Sequence, residues 1–223
     1  MTTELVHRTF LGIDPAECEL ADARVALVPV PYDGTASYMP GARLGPEAII
    51  SASSQVELWD LELEREPWRV GIHALSPLSP RVAGPEAMAA AVEGVVGDLL
   101  ELGKLPFTLG GEHSVALGAA RAVKRAQGRR PVTHLVLDAH LDLRDSYEGS
   151  RYSHACVSRR LLELGKVVHV GARVACPEEL DAVRSHDLDP IWGHELHARP
   201  RERWVDRALA QLGERVYVSV DVD

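Results

Sequence analysis

Seven short runs of apolar, largely β-branched residues punctuate the chain, at 24–32 (RVALVPVPY), 69–75 (RVGIHAL), 105–109 (LPFTL), 133–140 (THLVLDAH), 167–173 (VVHVGAR), 189–196 (DPIWGHEL) and 216–223 (VYVSVDVD). Continuous apolar runs of this length belong to strands of a parallel sheet covered on both faces. Between them, residues 46–54, 85–103, 114–127, 154–164, 177–185 and 201–212 are patterned as helices. Two of these helices open alike, with Gly45-Pro46-Glu47 and Gly84-Pro85-Glu86. Proline pre-sets the first turn, and glutamate faces the positive end of the helix dipole. The alternation predicts an α/β fold of three layers, αβα, around a mostly parallel sheet. No linker-like stretch interrupts it, so residues 1–223 read as a single domain.

Composition narrows the function classes. The net charge of −9, with acidic and basic residues interspersed, argues against nucleic acid as a partner and suits a small cationic one. No apolar run reaches membrane-spanning length, and MTTELVHRTF lacks the basic start and apolar centre of a signal peptide, which points to a cytoplasmic protein without a membrane partner. Cys18, Cys156 and Cys176 are widely spaced and include no CxxC pair, so they read as reduced thiols.

The chemistry gathers at strand ends, where open α/β sheets bind their ligands. The run 105–109 leads into Gly110-Gly111-Glu112-His113, the run at 133 ends in Asp138-Ala139-His140-Leu141-Asp142, and the last run ends in Asp221-Val222-Asp223. On a strand, residues i and i+2 point to one side about 7 Å apart. Asp138 and Asp142 would stand roughly 13 Å apart on a straight strand, so sharing an ion requires the chain to curl between Ala139 and Asp142. Each motif alone has a plain reading: a helix N-cap beside a core histidine, an acidic strand end in solvent, a tight glycine turn. Together they place buried acids that would repel one another without cations. The six candidate ligands, His113, Asp138, His140, Asp142, Asp221 and Asp223, suit two divalent ions bridged by carboxylates. Oxygen-rich ligation with imidazole and no thiolate favours manganese, with zinc, cobalt and iron as alternatives.

GGEHS (110–114), DAHLD (138–142) and SVDVD (219–223), in this order, resemble the three metal signatures of the ureohydrolase family of arginases and agmatinases. PGARLGPEAI (40–49) looks like the family's N-terminal loop and helix start. LRDSYEGSRYSHACVSRR (143–160) and VGARVACPEEL (170–180) look most like agmatinases of archaea and thermophilic bacteria. The resemblance implies one Mn2+ on His113, Asp138, Asp142 and Asp221, and a second on Asp138, His140, Asp221 and Asp223, with Asp138 and Asp221 bridging. It also implies His154 as the catalytic histidine beside the substrate. Glu112, where arginases usually carry aspartate, and Ala155, where many members have glycine, depart from the broader pattern. Asp145 and Glu148 are possible partners for a distal amine, or surface acids paired with Arg144.

The implied activity is hydrolysis of a guanidino compound to urea and an amine, with agmatine giving putrescine in polyamine biosynthesis as the favoured case. Aminopropylagmatine, guanidinobutyrate and arginine stand as other substrates. A single-zinc amide hydrolase, a cysteine deiminase and a non-catalytic metal-binding subunit are the rival readings. The resemblance further implies a homotrimer or homohexamer. Family members continue past the third motif with a helix and an eighth strand, in a sheet ordered 2-1-3-8-7-4-5-6. Residues 1–223 are therefore expected to be a fragment, a truncated gene product or the ordered part of a longer chain, the missing strand lying between the third and seventh.

Overall fold

A computed structural model describes residues 9–198 and 201–222. Seven strands form at β1 Val25–Val30, β2 Ile72–Ala74, β3 Leu105–Gly110, β4 Thr133–Leu137, β5 Lys166–Ala172, β6 Ile191–Trp192 and β7 Val216–Val220. Seven helices accompany them: α1 Gly45–Ser53, α2 Pro85–Glu101, α3 Ala116–Gln127, α4 Val157–Leu161, α5 Pro177–Ser185, α6 Gly193–Ala198 and α7 Arg201–Gln211. Every strand pairing is parallel, in two sheets ordered β2-β1-β3 and β6-β5-β4-β7. Among the described residues β3 and β7 are edges of their sheets. Both edges expose apolar side chains, Leu105 and Phe107 on β3 and Val216, Val218 and Val220 on β7.

Packing explains the layers. Met88, Val92, Val96 and Leu99 recur at helical spacing on α2 and bury against Ala26, Val28 and Val30 of β1 and against α3. α3 turns its other side, Ala116, Leu117 and Ala120, onto Val136 of β4 and Val167 of β5, together with α4. The opposite face of that sheet packs Leu135, Leu137, Val170 and Ile191 against Leu196, Trp204 and Ala208 of α6 and α7. β4 is therefore covered on both faces, as its continuous apolar run requires. Among the described residues, no helix is long and apolar enough to cross a membrane.

Several expected elements change. The strand expected at 189–196 is only Ile191–Trp192, and Gly193 starts α6. The reason is local: the Glu195 carboxylate reaches back to accept the Trp192 N–H at 3.0 Å, a helix-capping contact that ends the strand, and Arg207 holds the same carboxylate at 3.0 Å. The run at 69–75 is cut by a 3-10 turn at Pro67–Val70 and by Gly71 at φ 78°, leaving Ile72–Ala74. The helices expected at 114–127 and 154–164 begin with 3-10 turns at His113–Val115 and His154–Cys156, and α4 ends at Leu161. β4 stops at Leu137 and β7 at Val220, so Asp138, His140 and Asp221 lie just beyond the strands and not on them.

His134 on β4 is fully buried, edge-on to Tyr217 at 5.8 Å, and neither ring nitrogen has a hydrogen-bond partner. Burial, with Lys124 adding, pushes its pKa down from 6.5 to about 4. The unfolded chain therefore binds the extra proton between these values, so the contribution to stability is complete above 6.5 and is lost as pH falls towards 4. Through this residue, acidification from neutral to mildly acid (~5) should cost about 2 kcal/mol of unfolding free energy. Urea melts of the parent and His134→Phe proteins at both pH values check this: equal pH dependence in the two would contradict it.

Candidate metal centre

Parallel pairing sets the first two ligands side by side. Leu137 on β4 is in register with Val220 on β7, so the next residues, Asp138 and Asp221, leave adjacent strands together. Both remain tied to the ladder, Asp138 N–H donating to Val170 O at 3.1 Å and Asp221 N–H to Leu137 O at 2.8 Å. Beyond Leu137 the two-residue alternation persists although the strand has ended. Ala139, Leu141 and Leu143 are buried, the two leucines against Ala172 and Ala182, which turns Asp138, His140 and Asp142 the other way. The Ala139 carbonyl accepts from Arg173 N–H at 2.8 Å and Val174 N–H at 3.2 Å. The curl that spacing demanded begins with bends at Ala139 and His140, where Asp138 Oδ1 accepts the His140 N–H at 2.7 Å, and Asp142 follows in the left-handed region at φ 51°.

The third motif part comes from the other sheet. After β3, Gly111 passes so close to β1's continuation that a Cβ there would stand 2.3 Å from the Tyr32 carbonyl oxygen. The glycine is therefore needed for close approach, more than for a turn. That approach delivers His113 to the carboxylates. Its Nδ1 lies 2.6 Å from Asp142 Oδ2, 3.2 Å from Asp138 Oδ2 and 3.8 Å from Asp221 Oδ2, while Ser219 Oγ, 3.0 Å from Nε2, fixes the ring from behind. Ligand atoms of His113, Asp138 and Asp221 lie within 4.8 Å of one another. His140, 43 % exposed, places Nδ1 3.4 Å from Asp138 Oδ1. Asp223 lies outside the described residues.

These residues fit a cation. Asp138 and Asp142 are both buried. Asp138 Oδ2 makes no hydrogen bond of good geometry, despite His113 at 3.2 Å. Burial would lower the pKa of His113, but the nearby carboxylates of Asp138 and Asp142 override it and hold the ring protonated up to about 10. Burial would raise Asp138, yet His113 and then His140 bring it below the usual carboxylate range. In Asp142 burial wins over the pull of His113, and its pKa rises. The protein alone thus uses one imidazolium proton where three carboxylates converge, which is the arrangement a divalent ion replaces.

His154 opens the turn before α4, half-buried, with the Tyr147 ring edge-on at 5.8 Å. Asp145 pairs with Arg160 at 2.6 Å and Arg151 at 3.2 Å, in keeping with its reading as a surface acid. Arg144 stacks over Tyr147 at 4.7 Å instead of pairing with acids. The three cysteines are free, and burial pushes Cys156 up to about 11, so it stays a thiol. Sequence reasoning missed Ser219 as the support of His113, and Thr35, whose hydroxyl lies 3.2 Å from His154 Nδ1.

The arginase family model matches residues 23–223. This chain belongs to the arginase family. It is 38% identical over 211 residues to N(1)-aminopropylagmatine ureohydrolase of Synechocystis sp., covering 91% of this chain and 68% of the relative. It is 36% identical over 210 residues to the agmatinase of Pyrococcus horikoshii, covering 92% and 70%. The crystal structure of agmatine ureohydrolase of Thermoplasma volcanium superposes with TM-score 0.82 at 30% identity, over 92% of this chain and 69% of that one.

At neutral pH an ion entering this family member's cluster must displace the proton on His113. Manganese affinity should therefore rise with pH through the neutral range, with proton release on binding. Calorimetric titration of the chain with Mn2+ in buffers of different ionisation enthalpy reads this directly: heats independent of the buffer would refute it.

Proposed function

We propose that this arginase-family ureohydrolase uses two divalent ions to hydrolyse the guanidino group of an agmatine-type amine, releasing urea and the corresponding amine. The observation that carries the reading is the splitting of Asp138, whose Oδ2 faces His113 at 3.2 Å while Oδ1 faces His140 at 3.4 Å. One oxygen towards each of two imidazoles supports the reading of Asp138 as a bridging ligand, Oδ1 also accepting the His140 N–H at 2.7 Å. His113, Asp142 and Asp221 would complete one position, and His140, Asp221 and Asp223 the other. Oxygen donors with imidazole and no thiolate favour manganese in both. Divalent ions held there supply Lewis-acid activation of water near neutral pH.

The chain's own residues account for the rest. The carboxylates keep the centre negative enough to attract a guanidinium, in keeping with the net charge of −9. His154 delivers a proton to the leaving amine as the carbon–nitrogen bond breaks. One rival mechanism loses support. A deiminase needs a thiolate nucleophile, whereas Cys156 is a buried thiol and the cluster contains no cysteine. Against a single-zinc amide hydrolase, the discriminating result is two ions per chain by metal analysis.

Between substrates, agmatine is the reading of the sequence signatures, but four relatives at 38–40% identity carry the name N(1)-aminopropylagmatine ureohydrolase. We therefore favour N(1)-aminopropylagmatine, with agmatine second. Urea release from manganese-loaded protein on both compounds, arginine and guanidinobutyrate should give the highest kcat/KM with the aminopropyl compound. No urea from any of the four, with metal bound, would refute the proposal.

Asp138→Asn tests the bridge. It should remove both ions together, counted by metal analysis of the purified protein, and lower urea release by at least about 10²-fold. Loss of only one ion would assign the bridge elsewhere.

A further inference from the structure

Three segments far apart in sequence converge on a hydrogen-bonded chain outside the metal cluster. Thr35 follows β1, Glu112 follows β3, and His154 opens the turn before α4. The Glu112 carboxylate is buried and saturated: Oε2 accepts Thr35 N–H at 3.2 Å and the Thr35 hydroxyl at 2.6 Å, and Oε1 accepts the Ser114 hydroxyl at 2.6 Å. On its other side, Thr35 Oγ1 lies 3.0 Å from His154 N and 3.2 Å from His154 Nδ1.

Proton counting orients the chain. A threonine hydroxyl carries one hydrogen. That hydrogen goes to the carboxylate across the short 2.6 Å contact, so Oγ1 is left as an acceptor towards His154. The backbone N–H of His154 takes one lone pair, and the other accepts from Nδ1 when that nitrogen carries a hydrogen. Ser153 Oγ, 3.3 Å from the same nitrogen, can accept from Nδ1–H as well. Nε2 is the nitrogen this chain does not engage.

We propose that Thr35 and Glu112 are positioning residues for His154, holding its imidazole as the Nδ1–H tautomer so that Nε2 exchanges the proton with the leaving amine. This rests on the proposed role of His154. In that step the attacking water forms the O–C bond and gives one proton to Nε2. The Nε2–H bond then breaks as the amine N–H bond forms, the electron pair of the scissile C–N bond passes to the amine nitrogen, the water's second proton leaves the oxygen for the freed amine as the urea C=O forms, and the ring returns to neutral Nδ1–H. Glu112 matters here through its length, since an aspartate would withdraw the carboxylate from Thr35 by one methylene.

The test uses the manganese-loaded enzyme with Thr35→Val, which keeps the shape and removes the hydroxyl, Thr35→Ser, which restores it, and Glu112→Gln. Thr35→Val should lose about 10²-fold in kcat, with KM changed far less and metal content unchanged, and Thr35→Ser should recover most of the loss. Glu112→Gln, which preserves size, should fall in the same direction as Thr35→Val. A second readout does not depend on activity: in zinc-loaded, 15N-histidine-labelled protein, the two-bond couplings of His154 should report Nδ1–H in the parent and lose that preference in Thr35→Val. Wild-type kcat in Thr35→Val, or an Nε2–H tautomer in the parent, overturns the inference. If the parent releases no urea from any guanidino compound, the proposed function fails, and the tautomer alone then upholds or overturns the Thr35–Glu112 chain.

Discussion

Carboxylates converging in a buried pocket set the terms for the rest of this structure. Asp138 and Asp142 are withdrawn from water, Asp221 points at the same imidazole, and one protonated ring stands among them. Such a gathering is unfavourable unless cationic charge offsets it, and the cost grows as water is excluded. The fold supports it by anchoring the backbone on either side. Parallel ladders fix Asp138 and Asp221, two buried leucines pin the loop that carries His140 and Asp142, and a glycine pressed against the Tyr32 carbonyl brings in His113. Geometry that would be strained in isolation, such as the left-handed Asp142, is held by contacts around it.

Much of this was legible because it follows from periodicity. Apolar runs of strand length predicted the parallel sheet, and Asp138, His140 and Asp142 at every second position pointed to candidate ligands and to the need for a bend. The arithmetic of strand rise demanded that bend, although it did not show that the strand had already ended at Leu137. Where the reading failed, a side chain overruled the local pattern. The run at 189–196 is apolar enough for a strand, yet Glu195 caps a helix inside it. For Asp145 the preferred reading is a surface acid, and two arginines pair with it.

Contacts between distant segments were out of reach of any such reading. Thr35 and His154 are separated by 119 positions, and a threonine in a loop carries no signal of its own. Glu112 was visible only as a departure from the arginase signature, and its hydrogen bonds supply a physical reason for the longer side chain. Ser219 sits inside a recognised motif, but its support of His113 depends on two sheets meeting.

That meeting has mechanical meaning. The cluster draws its ligands from both sheets, His113 after β3 and the aspartates after β4 and β7. Other contacts that cross between them include His113 with Ser219 and the Tyr217 hydroxyl with the Ala116 carbonyl. A cation seated among His113, Asp138 and Asp221 would therefore act as a rivet through both sheets as well as a reagent. Its binding free energy would add to their cohesion at this point.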